Sequence, residues 1–449
     1  MVNVYIVVVV CPFVAACLFD LYTLMNTLSH TTNYYIDNMA PSHVHVISKQ
    51  DVSKHTTVSV DASLLPPLAE GSVRIRSHVV SISVNNMAYA TLGDVLGWWN
   101  TYPVPEILPA PYNDQKLWGI VPAWGYAKVV ESKDASLPEG TLIWGYWPTA
   151  DLPFDFAFKP AAEKGYVWEV SEHRKVLMSL YNFYELVDEV PSHEEKTWRS
   201  TVMAVWQAGY FLGQFGFAIP GSGNPPLNPT GHGDWTFEDG DLTSAVVVSL
   251  AASSKTARGL AWNLIKRGDG QNAPLAFLEG TTSAAALPAL NAAFETKASS
   301  YDELSSKKTV DWIAKFKPSR IVLVNCGAAD DIVRKFQDAV LASDAPITKF
   351  SYVTLVSMPG SVKHPDPRVS VVFMNTSPVI ENAHKALSID TVVKGRNAAF
   401  KEWAEQNVKG TLELKLSDKV EGDDGIEGAW EKLAKGVFPR DKAHVFELN

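Results

Sequence analysis

The chain has 449 residues, 46% of them apolar, a formal net charge of −10 and only three cysteines. That length predicts two or three domains with a sizeable core, and an acidic chain without a basic stripe excludes a nucleic-acid partner. Cys11 and Cys17 sit in the N-terminal apolar run, so Cys326 alone serves the body. This excludes a disulfide framework and a thiolate-rich zinc site, and it fits a reducing compartment.

Residues 2–19 are nearly all apolar, yet no Lys or Arg precedes Lys49. Membrane anchors and signal segments normally carry a positive flank. An anchor is therefore ranked below a working start near Met39, with residues 1–43 as an extension and a cytoplasmic location expected. His43 and His45 have metal-pair spacing but are expected to be incidental in a loose tail.

From Val58 to about Phe158 the chain reads as β, with Val- and Ile-rich runs punctuated by turns at Pro138 and Gly140. The dense aromatics there (Trp98, Trp99, Trp118, Trp124, Trp144 and Trp147) are expected to fill the core, with a minority lining a pocket. Residues 171–190 and 193–218 both show helical spacing. A Gly/Pro-rich linker follows over 220–241.

Strands then alternate with helices. SAVVVS, PLAFLE, RIVLVN, FSYVTLVS and VSVVFMN read as buried strands, with helices after the first three. Such alternation implies a parallel sheet covered on both faces. The tail after about Asn382 returns to helix and strand and is expected to rejoin the first domain. The boundaries are 44–204 with 383–449 for the β-rich domain, and 205–382 for the nucleotide domain.

The turn after the first strand of that sheet runs Ser249-Leu250-Ala251-Ala252-Ser253-Ser254-Lys255-Thr256 and leads into a helix. Free N–H groups and the helix dipole make such a turn an anion site. Ser249, Ala251, Ser253, Ser254, Lys255 and Thr256 are the candidate diphosphate contacts. Gly259 should allow close helix–strand packing. The G-x-G-x-x-G fingerprint is absent. A P-loop is the competing motif, but serines stand where it needs glycines, and RIVLVN ends in Asn325 where a Walker B strand ends in Asp. At the second strand, Glu279 could grip a ribose diol as in NAD sites, whereas Thr281, Thr282 and Ser283 suit a 2′-phosphate. NADP(H) is preferred over NAD(H).

The segments VNNMAYATLGD, VPAWGYAKVVES, GTLIWGYWPTA, HRKVLMSLYNFYEL and SLAASSKTARGLAW resemble the family called domain of unknown function 2855. The resemblance runs from about residue 58 to the C-terminus. Leu250 interrupts the usual serine-rich loop, and the linker is longer than usual. The family is similar to zinc-free, quinone-oxidoreductase-like medium-chain dehydrogenases. The resemblance implies an α/β protein: a GroES-like β-barrel substrate domain plus a Rossmann-like parallel-sheet nucleotide domain. It also implies an NADP-linked oxidoreductase without metal. Members often lie near secondary-metabolite genes in fungi, so a polyketide-like substrate is expected.

Without zinc, a side chain must polarise the substrate carbonyl. Tyr89, Tyr181 and Asn182 are the candidate catalytic groups, with Asn85, Asn86 and Tyr184 lining the pocket. Tyr181 and Tyr184 are expected on one face of a helix. His173 and Arg174 are read as a cap or ion pair, and Cys326 as a small buried hydrophobe. Three functions follow: an NADP-dependent reductase of a conjugated carbonyl or quinone-like molecule, a non-catalytic nucleotide-binding accessory protein, and a P-loop phosphohydrolase. The expected partners are a small-molecule substrate and, by analogy, a second copy in a homodimer.

Overall fold

The computed structural model describes residues 41–267, 272–355, 364–407, 413–438 and 442–448. The apolar run 2–19, Cys11 and Cys17 lie outside them. Among the described residues no helix is long and apolar enough to cross a membrane.

The first region is β-rich. Strand β1 (Ser42–Ser48) pairs with β2 (His55–Val60). The segment holding His43 and His45 is thus a strand and not a loose tail. Its burial explains the difference: Val44, Val46 and Ile47 are fully enclosed. Strand β3 (Val73–Ile82) leads into helix α1 (Val84–Thr91). Next come β4 (Trp118–Gly119), β5 (Pro122–Ser132), β6 (Leu142–Pro148), β7 (Phe154–Phe156), β8 (Phe158–Pro160), β9 (Tyr166–Glu169) and β10 (Phe183–Leu186). β4 completes a three-stranded sheet in the order β2-β1-β4.

The helix expected over 171–190 does not form. Short 3₁₀ turns at Glu172–Arg174 and Ser179–Asn182 precede strand β10. Phe183, Tyr184 and Glu185 are all buried. A strand enclosed on both faces has no alternating pattern, and its apolar spacing imitates a helix.

Helix α2 spans 193–216. Ser192 and Glu195 close a capping box at its start, and π turns at Arg199–Met203 and Leu212–Gly216 widen it. The linker that follows holds no regular element up to β11 (Ala245–Leu250). Then come α3 (Lys255–Ile265), β12 (Ala276–Thr281), β13 (Glu295–Ser300), α4 (Tyr301–Leu304), α5 (Lys307–Ala314), β14 (Arg320–Asn325), α6 (Asp330–Leu341), β15 (Lys349–Thr354) and β16 (Val369–Phe373). All six strands are parallel, in the order β13-β12-β11-β14-β15-β16. Numbered within the sheet this is 3-2-1-4-5-6, the doubly wound dinucleotide-binding order. Helix was expected directly after β12; only a 3₁₀ turn at Ala284–Ala286 forms, and the polar strand β13 follows.

Alternate residues of β11 feed two cores. Val246, Val248 and Leu250 face one, and Ala245 and Val247 the other. Burial on both faces is what its unbroken apolar run requires. The tail supplies α7 (Thr376–Ala386), α8 (Ile389–Asn407), β17 (Glu413–Ser417), α9 (Ile426–Ala434) and β18 (Lys442–Glu447). β18 pairs with β3, so the chain end returns to the β-rich region, and a nine-stranded sheet runs from β17 to β8 with β7 alongside β3.

Candidate functional site

In a 3-2-1-4-5-6 sheet the helices leave β11 and β14 in opposite directions, which opens a crevice at the C-terminal ends of the strands. The β11–α3 turn lies at that reversal. Ala251 has φ of 54°, the left-handed conformation that favours glycine. Its N–H donates to the Tyr301 hydroxyl at 3.0 Å, and the Ala252 N–H donates to Gly280 O at 3.1 Å. Ser254 caps α3 by accepting the Ala257 N–H at 3.2 Å. The first N–H groups of a helix have no partner within it, so Lys255 and Thr256 present main-chain donors here. Ser253 is exposed, Ala251 and Ser254 are half-buried, and Thr282 and Ser283 across the crevice are exposed. Thr281 is buried, with its hydroxyl 3.5 Å from that of Ser253. Tyr301, Gly280 O and Ala251 O take the Ala251, Ala252 and Ser254 N–H groups, which leaves Ser253, Lys255 and Thr256 as the main-chain donors of the bend.

Three of the expected contacts differ in place. Ser249 is fully buried within β11, inside the sheet, because strand pairing extends through Leu250. The Thr256 hydroxyl donates to Val205 O on α2 at 3.1 Å, so only its main chain faces the crevice. Lys255 Nζ donates to Thr201 O at 2.8 Å, a carbonyl in the first π turn of α2. Burial without a carboxylate beside it brings the Lys255 pKa down to about 8.

One pair was missed in the sequence. Arg258, one turn into α3, faces Glu279 of β12, with Nη1 3.4 Å from Oε1. That contact is long, and it is the one ion pair of Arg258 among the described residues, so most of its five donors are unspent. Burial pushes the Glu279 carboxyl up to about 7, partly offset by Arg258. The signal was available: Arg258 lies four residues after Ser254, one turn along the same helix face.

A separate aromatic cluster of candidate residues is built by the β-rich region. Tyr89 on α1 packs against Trp98 with ring centroids 4.8 Å apart, and Tyr181 packs on Tyr146 at 5.0 Å and Trp98 at 5.6 Å. The Tyr89 hydroxyl accepts the Trp124 indole N–H at 2.9 Å, with Asn85 beside it. Burial raises its pKa to about 12, which keeps it a neutral donor. Tyr181 follows a residue tied to α7: Leu180 N–H donates to Ser377 Oγ at 3.1 Å, at the start of α7 just after β16. The structure therefore brings Tyr89 and Tyr181 into one aromatic cluster, with ring centroids 6.1 Å apart.

Three other candidates are used inside the fold. Asn86 donates to Pro122 O and accepts the Ser83 N–H, which fixes the start of α1. Asn182 donates one amide N–H to Arg174 O at 3.0 Å, which ties its side chain to the first 3₁₀ turn. Tyr184 is on β10, fully buried; it accepts from Arg174 at 2.5 Å and donates to Tyr146 O at 2.8 Å. Tyr181 and Tyr184 thus share no helix face, since the intended helix is a turn and a strand. Arg174 also lies 3.3 Å from Glu169, both side chains buried, an ion pair of the core.

Cys326 at the end of β14 is half-buried beside Ser254, and burial pushes its thiol up to about 12, so it is no nucleophile. Asn325 shapes the β14–α6 turn by accepting the Gly327 and Ala328 N–H groups. No carboxylate ends that strand, which removes the Walker B group a phosphohydrolase requires. His43 pairs with Asp151, and His45 with His55. Among the described residues no group of three or more His, Cys, Asp and Glu could hold a metal ion.

Comparison with solved structures places this architecture. An enoyl thioester reductase from Candida tropicalis, in mutant form, superposes with a TM-score of 0.51 at 10% identity, covering 91% of this chain and 100% of its own. A complex of Etr1p with NADP and crotonyl-CoA gives 0.51 at 11% identity, with the same coverage. A protein assigned as an NADPH:quinone reductase from Bacillus thuringiensis gives 0.52 at 9% identity, covering 92% and 100%. At such identities the likeness establishes the fold: a GroES-like β-rich domain joined to a Rossmann-like sheet. No curated protein sequence matches the chain. The model of one family, described as protein of unknown function (DUF2855), matches residues 80–439, and the chain belongs to that family.

Proposed function

We propose that the protein is an NADP-dependent, zinc-free reductase of a small conjugated carbonyl or quinone-like molecule. The observation that carries the reading is the open serine bend at the reversal of the parallel sheet, with the underused Arg258 guanidinium beside it. The names of the solved neighbours, one with NADP and crotonyl-CoA, support the same chemistry.

The residues fit the cofactor. Ser253, Ser254 and the first amides of α3 would take the diphosphate; Arg258, with Thr282 and Ser283, would take the 2′-phosphate. Bound NADPH supplies a hydride. The protein's part is to position and polarise. Tyr89 and Tyr181, with Trp98, offer flat apolar surface for a conjugated system. The Tyr89 hydroxyl, already accepting from Trp124, has its own proton to donate to a substrate oxygen. Tyr181, in the same cluster, is the second donor.

Lys255 is a buried cation leaning on one carbonyl. Its folded pKa lies below its unfolded value, so the ammonium weighs against the fold below about pH 10 and most fully below pH 8. A phosphate nearby would offset that cost. Lys255→Met should therefore weaken NADPH binding about tenfold while the Tm of the free protein stays level or rises; unchanged affinity removes Lys255 from the site.

Titrating NADPH by fluorescence and following absorbance at 340 nm with a panel of enones and quinones tests the whole reading. Binding with turnover of at least one substrate is expected. Absence of NADPH binding sinks the proposal, and binding without any turnover leaves the accessory-protein reading in its place.

A further inference from the structure

A second cavity lies away from the nucleotide crevice, with a volume of about 390 Å³, between the start of α2 and the end of α8. It shares no lining residue with the serine bend or with 281–283. Its walls are apolar: Trp198 and Met203 from α2, Phe400 and Ala404 from α8, and Tyr126 from β5. Arg199 lies at its base. That size suits a small molecule of modest length.

The charge beneath the cavity is unbalanced. Glu185 accepts from Arg199 at 2.5 Å and from Arg396 at 2.5 Å, so one carboxylate serves two guanidiniums. No other carboxylate pairs with either arginine among the described residues. The Trp144 ring, 4.7 Å from Arg199 and 5.7 Å from Arg396, offsets only part of the excess. Buried charge is costly unless it is matched.

The polar atoms facing this charge are also unsatisfied. Arg199 Nε and the hydroxyl of fully buried Tyr126 are enclosed, and beyond the Arg199–Tyr126 contact neither makes a hydrogen bond among the described residues. Arg199 and Tyr126 both line the cavity, close together, and the partly exposed Arg199 guanidinium keeps donors beyond the one it gives Glu185. At the mouth, Glu195 is tied to Lys401 at 3.6 Å, while Glu194 and Glu405 are exposed and screened by water.

We propose that this cavity binds an amphipathic monocarboxylate, such as a medium-chain fatty acid. Its carboxylate sits over Arg199 and Tyr126, and its chain lies against Trp198, Met203, Phe400 and Ala404. One anion brings the Arg199–Glu185–Arg396 cluster to neutrality and gives the Arg199 guanidinium a second acceptor. The site is independent of the nucleotide reading, since neither the residues nor the ligand overlap.

Calorimetric titration of the full chain with octanoate and with octanamide, without nucleotide, tests this directly. One octanoate per chain is expected, with a Kd of about 0.1–1 mM, at least tenfold tighter than the amide because only the acid carries charge. Ala404→Trp, from a half-buried position on α8, should fill the cavity and abolish binding while NADPH affinity stays at wild type. Ala404→Leu, a smaller plug, should weaken octanoate at least fivefold if the tryptophan variant folds poorly. No octanoate binding at 10 mM, equal affinity for acid and amide, or wild-type affinity in both variants overturns the proposal. NADPH failure alone leaves it standing.

Discussion

Arg258→Ala should weaken NADPH binding about 30-fold, the worth of a charge-assisted hydrogen-bonded contact, while NADH binding changes by less than about twofold. The asymmetry is the informative part. Arg258 can meet the 2′-phosphate, which NADH lacks, and its long contact to Glu279 leaves donors to spare. The pH dependence follows from Glu279. Its folded pKa of about 7 lies above its unfolded value. The protonated carboxyl therefore favours the fold fully at low pH, and that contribution is lost as pH rises through about 7. Below pH 7 the neutral carboxyl leaves Arg258 to the phosphate. Above pH 7 the carboxylate competes for the guanidinium and repels the phosphate. NADPH affinity should thus fall between pH 6.5 and 8, and Glu279→Gln should flatten that decline and raise Tm relative to wild type above pH 7. Equal losses for NADPH and NADH in Arg258→Ala, or an identical pH profile in Glu279→Gln, would remove the pair from cofactor choice.

The parts of the fold legible in the sequence are those where burial is symmetrical and local. Strands β11, β12 and β14 are unbroken apolar runs because both faces are enclosed, and each appeared as a strand. The same reasoning fails at β10, whose enclosed residues Phe183, Tyr184 and Glu185 carry no period of two and read as helix. It fails again at β13. That strand, ETKASS, is an edge strand, partly exposed, and polar edge strands are a way to discourage stray pairing. Its polar character is its function, and nothing in its pattern distinguishes it from loop.

Within the site, the serine bend was legible because it depends on neighbours in sequence. Residues 251–256 hold the turn and the first turn of α3 together. The directions of their side chains depend on α2, more than fifty residues earlier, and could not be read. Lys255 and Thr256 turn to α2 because its π turn and its packing leave carbonyls at Thr201 and Val205 within reach. Asn86 and Tyr184 are spent inside the fold for a related reason. A polar residue in a crowded aromatic core satisfies its hydrogen bonds inside the fold first, and which partner it finds is a matter of tertiary contact.

The same α2–α3 junction predicts the largest loss of stability. Gly259 was expected to let α3 approach the sheet, but it is α2 that comes closest. A Cβ on Gly259 would lie 2.3 Å from Trp206 O, and one on Gly209 would lie 2.1 Å from Thr256 O and 2.5 Å from Leu260 N. The two glycines face each other's backbones, so neither clash can be relieved by turning a side chain. Gly259→Ala must push the helices apart, and with them the Lys255–Thr201 and Thr256–Val205 contacts that hold the serine bend against α2. A cost of about 3 kcal/mol is expected, at the upper end for overpacking, with Tm falling by roughly 6 °C or more. NADPH affinity should fall with it, because the bend is held by the same contacts. Gly395→Ala is the control. It lies on an exposed face of α8, where the added Cβ meets only the Tyr210 hydroxyl at 3.4 Å. Removing a helical glycine there should stabilise the protein by about 0.5–1 kcal/mol. If Gly259→Ala melts like Gly395→Ala, the helices do not meet through the two glycines, and the placement of Lys255 against Thr201 loses its support.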